Sequence, residues 1–278
     1  RTPFYGKNWT KSSMIKLIAC DLDGTVLDDR KNIDSGLKEI VDQLKENGVL
    51  FTVVSGRNNE LIRDYVEYFG IDIPYICNNG ANIYCQNKLI NVDCIPSRYV
   101  SEAARLLYEA QIVFRVYCVE DVFCNGISDF FLARMKGFSK PFLEYSPDLD
   151  LSKYRAVKIT ADFHGREDRI EKLQKVIRSF PGTDFFKVEP GICCVNSTTA
   201  NKGDGLRKVC EYLGLDAAKE VMSFGDNDND LPMLKGSAVS VAMGNSEETV
   251  KKNTDYVCPD NNHNGVSEFL RNYFQDLL

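Results

Sequence analysis

Short apolar runs alternate with stretches of helical period at both ends of this chain, and that alternation limits the folds open to it more than any other feature. Ile15–Cys20, Val49–Val54 and Tyr75–Cys77 are strand-sized runs. Between the first two, residues 34–47 place Leu37, Ile40, Val41 and Leu44 on one helical face, with Gly48 as the stop. Between the second and third, Leu61, Ile62, Tyr65, Val66 and Phe69 recur at helical spacing and end at Gly70. Strands apolar on both faces, linked by amphipathic helices, are the pattern of a parallel α/β sheet. The pattern returns late in the chain. A helix is expected over 202–213, stopped by Gly214, followed by strands at Val221–Phe224 and Ala238–Met243. A last helix should carry Val266, Phe269, Leu270, Tyr273, Phe274 and Leu277 on one stripe.

Between about residues 83 and 192 the texture changes. Aromatic residues and prolines are dense, and the strands at Ile112–Tyr117 and Arg155–Thr160 look alternating. One-sided helices at Ser97–Glu109 and Arg166–Phe180 complete the set. Helices on one face of an antiparallel sheet suit this better than a continued parallel sheet. The expected architecture is therefore α/β, a Rossmann-like parallel-sheet core made of residues 14–82 and 193–278, interrupted by an α+β domain over 83–192. Residues 1–13 have no apolar signal-peptide core and are expected to be a disordered extension or a remnant of expression.

Composition narrows the class of function. Of 278 residues, 44% are hydrophobic, enough for a sizeable core. The net charge of −6 and the absence of a basic stripe argue against nucleic acid as a partner. No run approaches the roughly 18 apolar residues that mark a membrane span, so no membrane partner is expected. Ten cysteines include no C-x-x-C pair, and only two histidines are available, which disfavours a structural zinc. Reduced, mostly buried thiols in a cytoplasmic protein, monomeric or weakly homo-oligomeric, are the expectation.

The chemistry should lie where the strands end. Strand one runs into Asp21-Leu22-Asp23-Gly24-Thr25, strand two into Ser55-Gly56-Arg57, and the late strand into Gly225-Asp226-Asn227-Asp228-Asn229-Asp230. Parallel strands put all three clusters on one edge of the sheet, the edge where open α/β sheets bind ligands. Side chains two apart on extended chain point the same way, so Asp21 and Asp23 share a crevice. Like charges that close need a cation or a proton. With Asp226 and Asp230 added, an oxygen-only ligand set favours Mg²⁺. Taken singly, an Asp-rich strand end could be a helix N-cap or an Asx-turn. The 226–230 run also resembles an EF-hand start, but Leu231 and Ser237 occupy its glycine and glutamate positions. No phosphate-binding GxxxxGK loop, nucleophile elbow or HExxH is present.

These clusters resemble the first, second and fourth motifs of the haloacid dehalogenase-like hydrolase superfamily, and Lys202-Gly203 resembles its third. All four stand in family order. The long insert between the second and third is similar to that of the Cof-type subfamily, whose α+β cap (type IIB) lies there. Asn78-Asn79-Gly80-Ala81 and Asn264-Gly265-Val266 also look like segments of that subfamily. The resemblance implies a phosphatase working through an aspartyl-phosphate. In it Asp21 is the nucleophile, and Asp23 protonates the leaving alcohol and then activates water. Asp21, Asp226 and the backbone carbonyl of Asp23 bind Mg²⁺, with Asp230 as ligand or support. Ser55, Gly56, Lys202 and Asn229 form the phosphate- and substrate-binding set.

The chemistry of each group agrees with these roles. A carboxylate nucleophile divides ester hydrolysis into two easier displacements, and an anion attacking an anionic phosphate needs screening. An acid that must also serve as base suits a pKa near the working pH. Arg57 is open between a substrate contact and pairing with a helix-terminal carboxylate. An insert beside the strand ends can act as a lid, so the leaving group would be read by residues between about 83 and 192. The expected substrate is a small phosphorylated metabolite, with sugar phosphates the leading class. A phosphotransferase or phosphomutase with the same intermediate is the enzymatic alternative, and a silent metabolite-binding protein the non-enzymatic one.

Overall fold

The structure is a computed structural model that describes residues 15–134, 138 and 141–278. The expectation for residues 1–13 lies outside the described residues. By contacts the chain divides into two units, one made of the chain up to Ile90 together with Asn201–Leu278, the other of Asn91–Ala200.

The first unit begins with β1 (Leu17–Cys20), α1 (Leu37–Glu46), β2 (Leu50–Val53), α2 (Asn59–Tyr68), β3 (Tyr75–Cys77), β4 (Asn82–Cys85) and β5 (Lys88–Val92). The second contains α3 (Ser97–Glu109), β6 (Val113–Cys118), β7 (Val122–Cys124), α4 (Asp129–Ala133), β8 (Leu143–Glu144), β9 (Ala156–Asp162), α5 (Ile170–Arg178), β10 (Thr183–Glu189) and β11 (Ile192–Ser197). The chain then returns to the first unit through α6 (Lys202–Leu213), α7 (Ala217–Glu220), β12 (Val221–Gly225), α8 (Leu231–Gly236), β13 (Val239–Ala242), α9 (Glu248–Lys252), β14 (Tyr256–Val257) and α10 (Gly265–Tyr273).

The first unit is built on a parallel sheet of order β14-β13-β12-β1-β2. Its interior strand β1 is buried at every residue, because α1 and α10 pack on one face and α6 on the other. That two-sided cover is why the strand reads as a continuous apolar run rather than an alternation. Leu37, Ile40, Val41 and Leu44 of α1 are all buried, each contributing about 2 kcal/mol of apolar transfer. Register matters most for function. Cys20 lies opposite both Phe224 and Val53, so β1, β2 and β12 end together. The three polar clusters that follow them therefore start from one edge.

Several boundaries differ from the sequence reading, among them α5, which spans Ile170–Arg178 rather than Arg166–Phe180. Helix α1 starts at Leu37 rather than near Asp34, because the Asp34 carboxylate instead accepts the Gly36 amide at 3.0 Å in a local turn. Helix α10 stops at Tyr273, and Leu277 packs on the core from beyond it.

The second unit is α+β, as expected. Its six-stranded sheet has the order β10-β11-β9-β6-β7-β8 and is antiparallel except for the short β7–β8 pair. Helices α3 and α5 cover one face, where Val100, Ala103, Leu107, Leu173 and Ile177 meet Phe114, Val116, Ile159, Phe185 and Val195. Strand β9 is buried along its whole length rather than half-solvated. On its other face lies a feature that periodicity does not signal. The Arg115 guanidinium sits between the rings of Phe131 and Phe142, 4.4 and 4.2 Å from their centroids. It donates to the Phe131 carbonyl at 3.1 Å, while its Nε and Nη1 have no hydrogen-bond partner among the described residues.

All ten cysteines are free, and burial raises the pKa of Cys20, Cys118, Cys193, Cys210 and Cys258, keeping them as thiols. Among the described residues, no helix is long and apolar enough to cross a membrane.

Candidate active site

The site grows from the flush ends of β1 and β12. The Asp21 amide donates to the Phe224 carbonyl at 3.0 Å, which extends the β1–β12 ladder by one residue and fixes where the Asp21 carboxylate begins. One turn after β12, Asp230 folds back on the strand end. Its Oδ2 accepts the amides of Asp226 and Asn227, both at 3.0 Å, while the Asn227 side chain caps the same turn. Lys202 opens α6 and reaches the same point. Its ammonium donates to Asp21 Oδ1 at 2.6 Å and to Asp230 Oδ1 at 2.5 Å. None of these three side chains is more than 7% exposed.

Carboxylate oxygens of Asp21, Asp226 and Asp230 all lie within 4.8 Å of one another. Every donor in the set is oxygen, which suits a hard divalent cation. Gly24 permits this closeness. It has φ of +78°, and a Cβ there would stand 2.4 Å from Asp226 Oδ2. Thr25 steadies Asp226 with a hydroxyl 3.4 Å from its Oδ1. The residues present therefore fit a divalent metal, with Asp21 and Asp226 the freer ligands. Both Asp230 oxygens already accept hydrogen bonds, so it stands nearer to support than to ligation.

The electrostatics of the cluster follow from burial. Desolvation pushes the Asp21 pKa well up, Lys202 pulls it back, and Asp230 and Asp226 add to the rise. Desolvation, with Asp230 next, lifts Asp226 to about 7. For Lys202, burial opposes the ammonium but Asp21 and Asp230 outweigh it, and its pKa is raised.

Asp23 goes the other way. Its side chain stands apart from the acidic cluster and is 40% exposed. Arg57 grips it with both arms of its fork, Nε to Oδ2 at 2.7 Å and Nη2 to Oδ1 at 2.6 Å, and Lys31 adds a 2.8 Å contact to Oδ1. Burial alone would raise its pKa, but these two cations overcome it and bring Asp23 down to about 2. The expectation of a pKa near the working pH is not met in this arrangement. Arg57, left open in the sequence, pairs with Asp23 rather than with a helix-terminal carboxylate.

The remaining expected residues lie around a left-handed turn. Asn78, Asn79 and Gly80 have φ of +50°, +57° and +103°. The turn aims the Asn79 side-chain carbonyl at the Asn229 amide, 3.0 Å away. It also leaves Gly56 no room for a side chain, since a Cβ would meet that same oxygen at 2.9 Å. Ser55 is buried, with its hydroxyl accepting the Arg57 amide at 3.1 Å. Sequence reasoning did not select Asn79, Lys31 or the Asp23–Arg57 pair as site features. Three consecutive residues tolerant of left-handed backbone were the available signal for Asn79.

A parallel sheet whose strand ends gather aspartates and one buried lysine defines an α/β enzyme that handles anionic groups. The match to known proteins identifies its family. The family model of the haloacid dehalogenase-like hydrolases matches residues 18–270, and the chain belongs to that family. A putative phosphatase of Buchnera aphidicola subsp. Schizaphis graminum is 31% identical over 270 residues, covering 94% of this chain and 96% of that protein. The 5-amino-6-(5-phospho-D-ribitylamino)uracil phosphatase YcsE of Bacillus subtilis is 27% identical, covering 93% and 96%. Among solved structures, BT1666 of Bacteroides thetaiotaomicron, a phosphatase of the haloalkanoate enzyme superfamily, superposes with a TM-score of 0.78. It is 22% identical, covers 98% of this chain and 99% of its own, and shows the fold.

Proposed function

We propose that this chain is a Mg²⁺-dependent phosphatase of small phosphorylated metabolites, with sugar phosphates the leading class, acting through an aspartyl-phosphate on Asp21. The observation that carries this reading is the buried Lys202 bridging Asp21 to Asp230 beside Asp226. That arrangement supports the reading of Asp21 as the nucleophile, with Lys202 and a cation on the carboxylates supplying the positive charge that an anionic phosphate needs. The relative named as a 5-amino-6-(5-phospho-D-ribitylamino)uracil phosphatase supports a small phosphorylated metabolite as the substrate class.

In the first step an Asp21 oxygen bonds to phosphorus while the bond from phosphorus to the ester oxygen breaks. Asp23 gives its proton to the departing alcohol. In the second, water attacks the phosphorus, its proton passes to Asp23, and inorganic phosphate leaves with the Asp21 carboxylate restored. Lys202, Ser55, the Gly56 backbone and Asn229 hold the phosphoryl oxygens. A Mg²⁺ ion held by Asp21, Asp226 and the Asp23 carbonyl, with Asp230 in support, would supply neutralisation of phosphoryl charge. Asp23 must take up a proton before the first step against the Arg57 and Lys31 cations, which favour its ionised form and suit it as the base of the second step.

The test is phosphate release across sugar phosphates, nucleotides and phosphorylated cofactors, with Mg²⁺ or EDTA present. Turnover should vanish in Asp21→Asn and in EDTA. Undiminished turnover by Asp21→Asn would remove the nucleophile assignment, and equal rates in EDTA would remove the metal.

A further inference from the structure

Arg57 is fixed more firmly than a substrate-reading arginine needs to be. Its backbone is held at both ends, the amide by Ser55 Oγ at 3.1 Å and the carbonyl by the Asn78 amide at 2.8 Å. Its guanidinium is committed on both sides. Nε and Nη2 fork onto the two oxygens of Asp23, while Nη1 reaches Tyr65 Oη at 3.4 Å. The Tyr65 ring backs the group, 5.5 Å from ring centroid to guanidinium carbon. A bidentate fork fixes a carboxylate in plane and in rotation, which a point cation such as Lys31 cannot do.

We infer that Arg57 is the positioning residue for Asp23, with Tyr65 behind it, and that it acts through the placement of that carboxylate rather than by touching substrate. The inference rests on the reading of Asp23 as the acid that protonates the leaving group. Placement matters because proton transfer is efficient only from a group held within hydrogen-bond reach of the leaving oxygen. A carboxylate freed of its fork rotates about χ1 and χ2 and samples that position less often.

Leaving groups separate this role from the others. An alkyl phosphate such as glycerol phosphate releases a strongly basic alkoxide unless it is protonated, whereas 4-nitrophenyl phosphate releases a stable phenolate and needs little acid. The quantity to read is kcat/KM, which reports the steps up to departure of the leaving group. For Arg57→Met, kcat/KM on glycerol phosphate should fall about 10- to 100-fold, with a loss on 4-nitrophenyl phosphate about tenfold smaller. Arg57→Lys should keep most of the selective loss, since one ammonium cannot hold both oxygens. Asp23→Asn, the reference variant, should show the same selectivity more strongly. Equal losses on the two esters in Arg57→Met would overturn the inference, because a phosphoryl contact or a folding role weakens both alike. Wild-type behaviour of Arg57→Lys would overturn the fork and leave charge alone. If Asp23→Asn itself shows no selectivity, the acid assignment fails. If Asp23→Asn does show it while Arg57→Met does not, only the inference about Arg57 fails.

Discussion

Replacing Lys202 with methionine tests whether the buried ammonium holds the acidic cluster together. Met is close in volume, so packing changes little and the lost term is electrostatic. The ammonium lies 2.6 Å from Asp21 and 2.5 Å from Asp230, all three groups almost fully buried. Removing one partner from a buried pair leaves an uncompensated charge and costs about 3–5 kcal/mol. In a unit of this size about 4 kcal/mol corresponds to a fall in Tm on the order of 10 °C. The sign with pH can be worked out. Asp21 and Asp226 have folded-state pKa values raised by burial, Asp226 to about 7. A group raised in this way contributes stability that is fully present below its unfolded value, near 4, and lost as pH rises through the folded value. Without Lys202 both should rise further. The deficit of Lys202→Met relative to wild type should therefore be largest at pH 8 and smallest near pH 4 to 5, where the carboxylates take up protons. Thermal and denaturant unfolding in EDTA at pH 5 and pH 8 measures this. Wild-type stability at pH 8, or the same deficit at both pH values, would refute the reasoning.

Two further outcomes are expected. On the proposed reading protons compete with a divalent cation for Asp226 and Asp21, so Mg²⁺ binding followed by calorimetry should weaken at least about tenfold between pH 8 and pH 6, the share of Asp226 alone, which titrates near 7. An affinity flat over that range would contradict it. In the second unit, Arg115→Met should shift unfolding free energy by no more than about 1 kcal/mol, because among the described residues two buried guanidinium donors have no partner and a thioether can fill the same space between Phe131 and Phe142. A loss of several kcal/mol in denaturant melts would show that the cation between the rings is stabilising.

What could be read from the sequence is what depends on short-range pattern. The apolar runs that become β1, β2 and β12 are continuous because both faces of the sheet are covered, and parallel pairing then requires their polar ends to share an edge. Arg57 gave no sign of its partner, for the opposite reason. It stands 34 positions from Asp23, and only the depth of the loop after β2 decides which carboxylate its fork meets. Asn79 faces Asn229 across 150 residues through a turn whose backbone is left-handed at three successive positions. Periodicity carries no information about such a turn. The insert's Arg115 is likewise invisible, because an alternating strand gives no warning that its outward face will be roofed by Phe131 and Phe142.

The two aspartates of the first motif show what the fold adds to the pattern. Spacing alone treats Asp21 and Asp23 as equivalent carboxylates sharing a crevice, and predicts that one must be neutralised. In the structure they are neutralised by different means and in opposite directions. Asp21 is buried beside Asp226 and Asp230 with one lysine, so its ionised form is disfavoured until further positive charge arrives. Asp23 meets a guanidinium fork and a second lysine, so its ionised form is favoured as it stands. Two titratable groups whose surroundings drive them apart are the usual sign of divided labour in a catalytic site. On the proposed reading, a cation in the acidic cluster would favour the ionised form of Asp21 while the Arg57 fork holds Asp23 in place, so metal occupancy and the fork act on separate groups and can be separated by experiment.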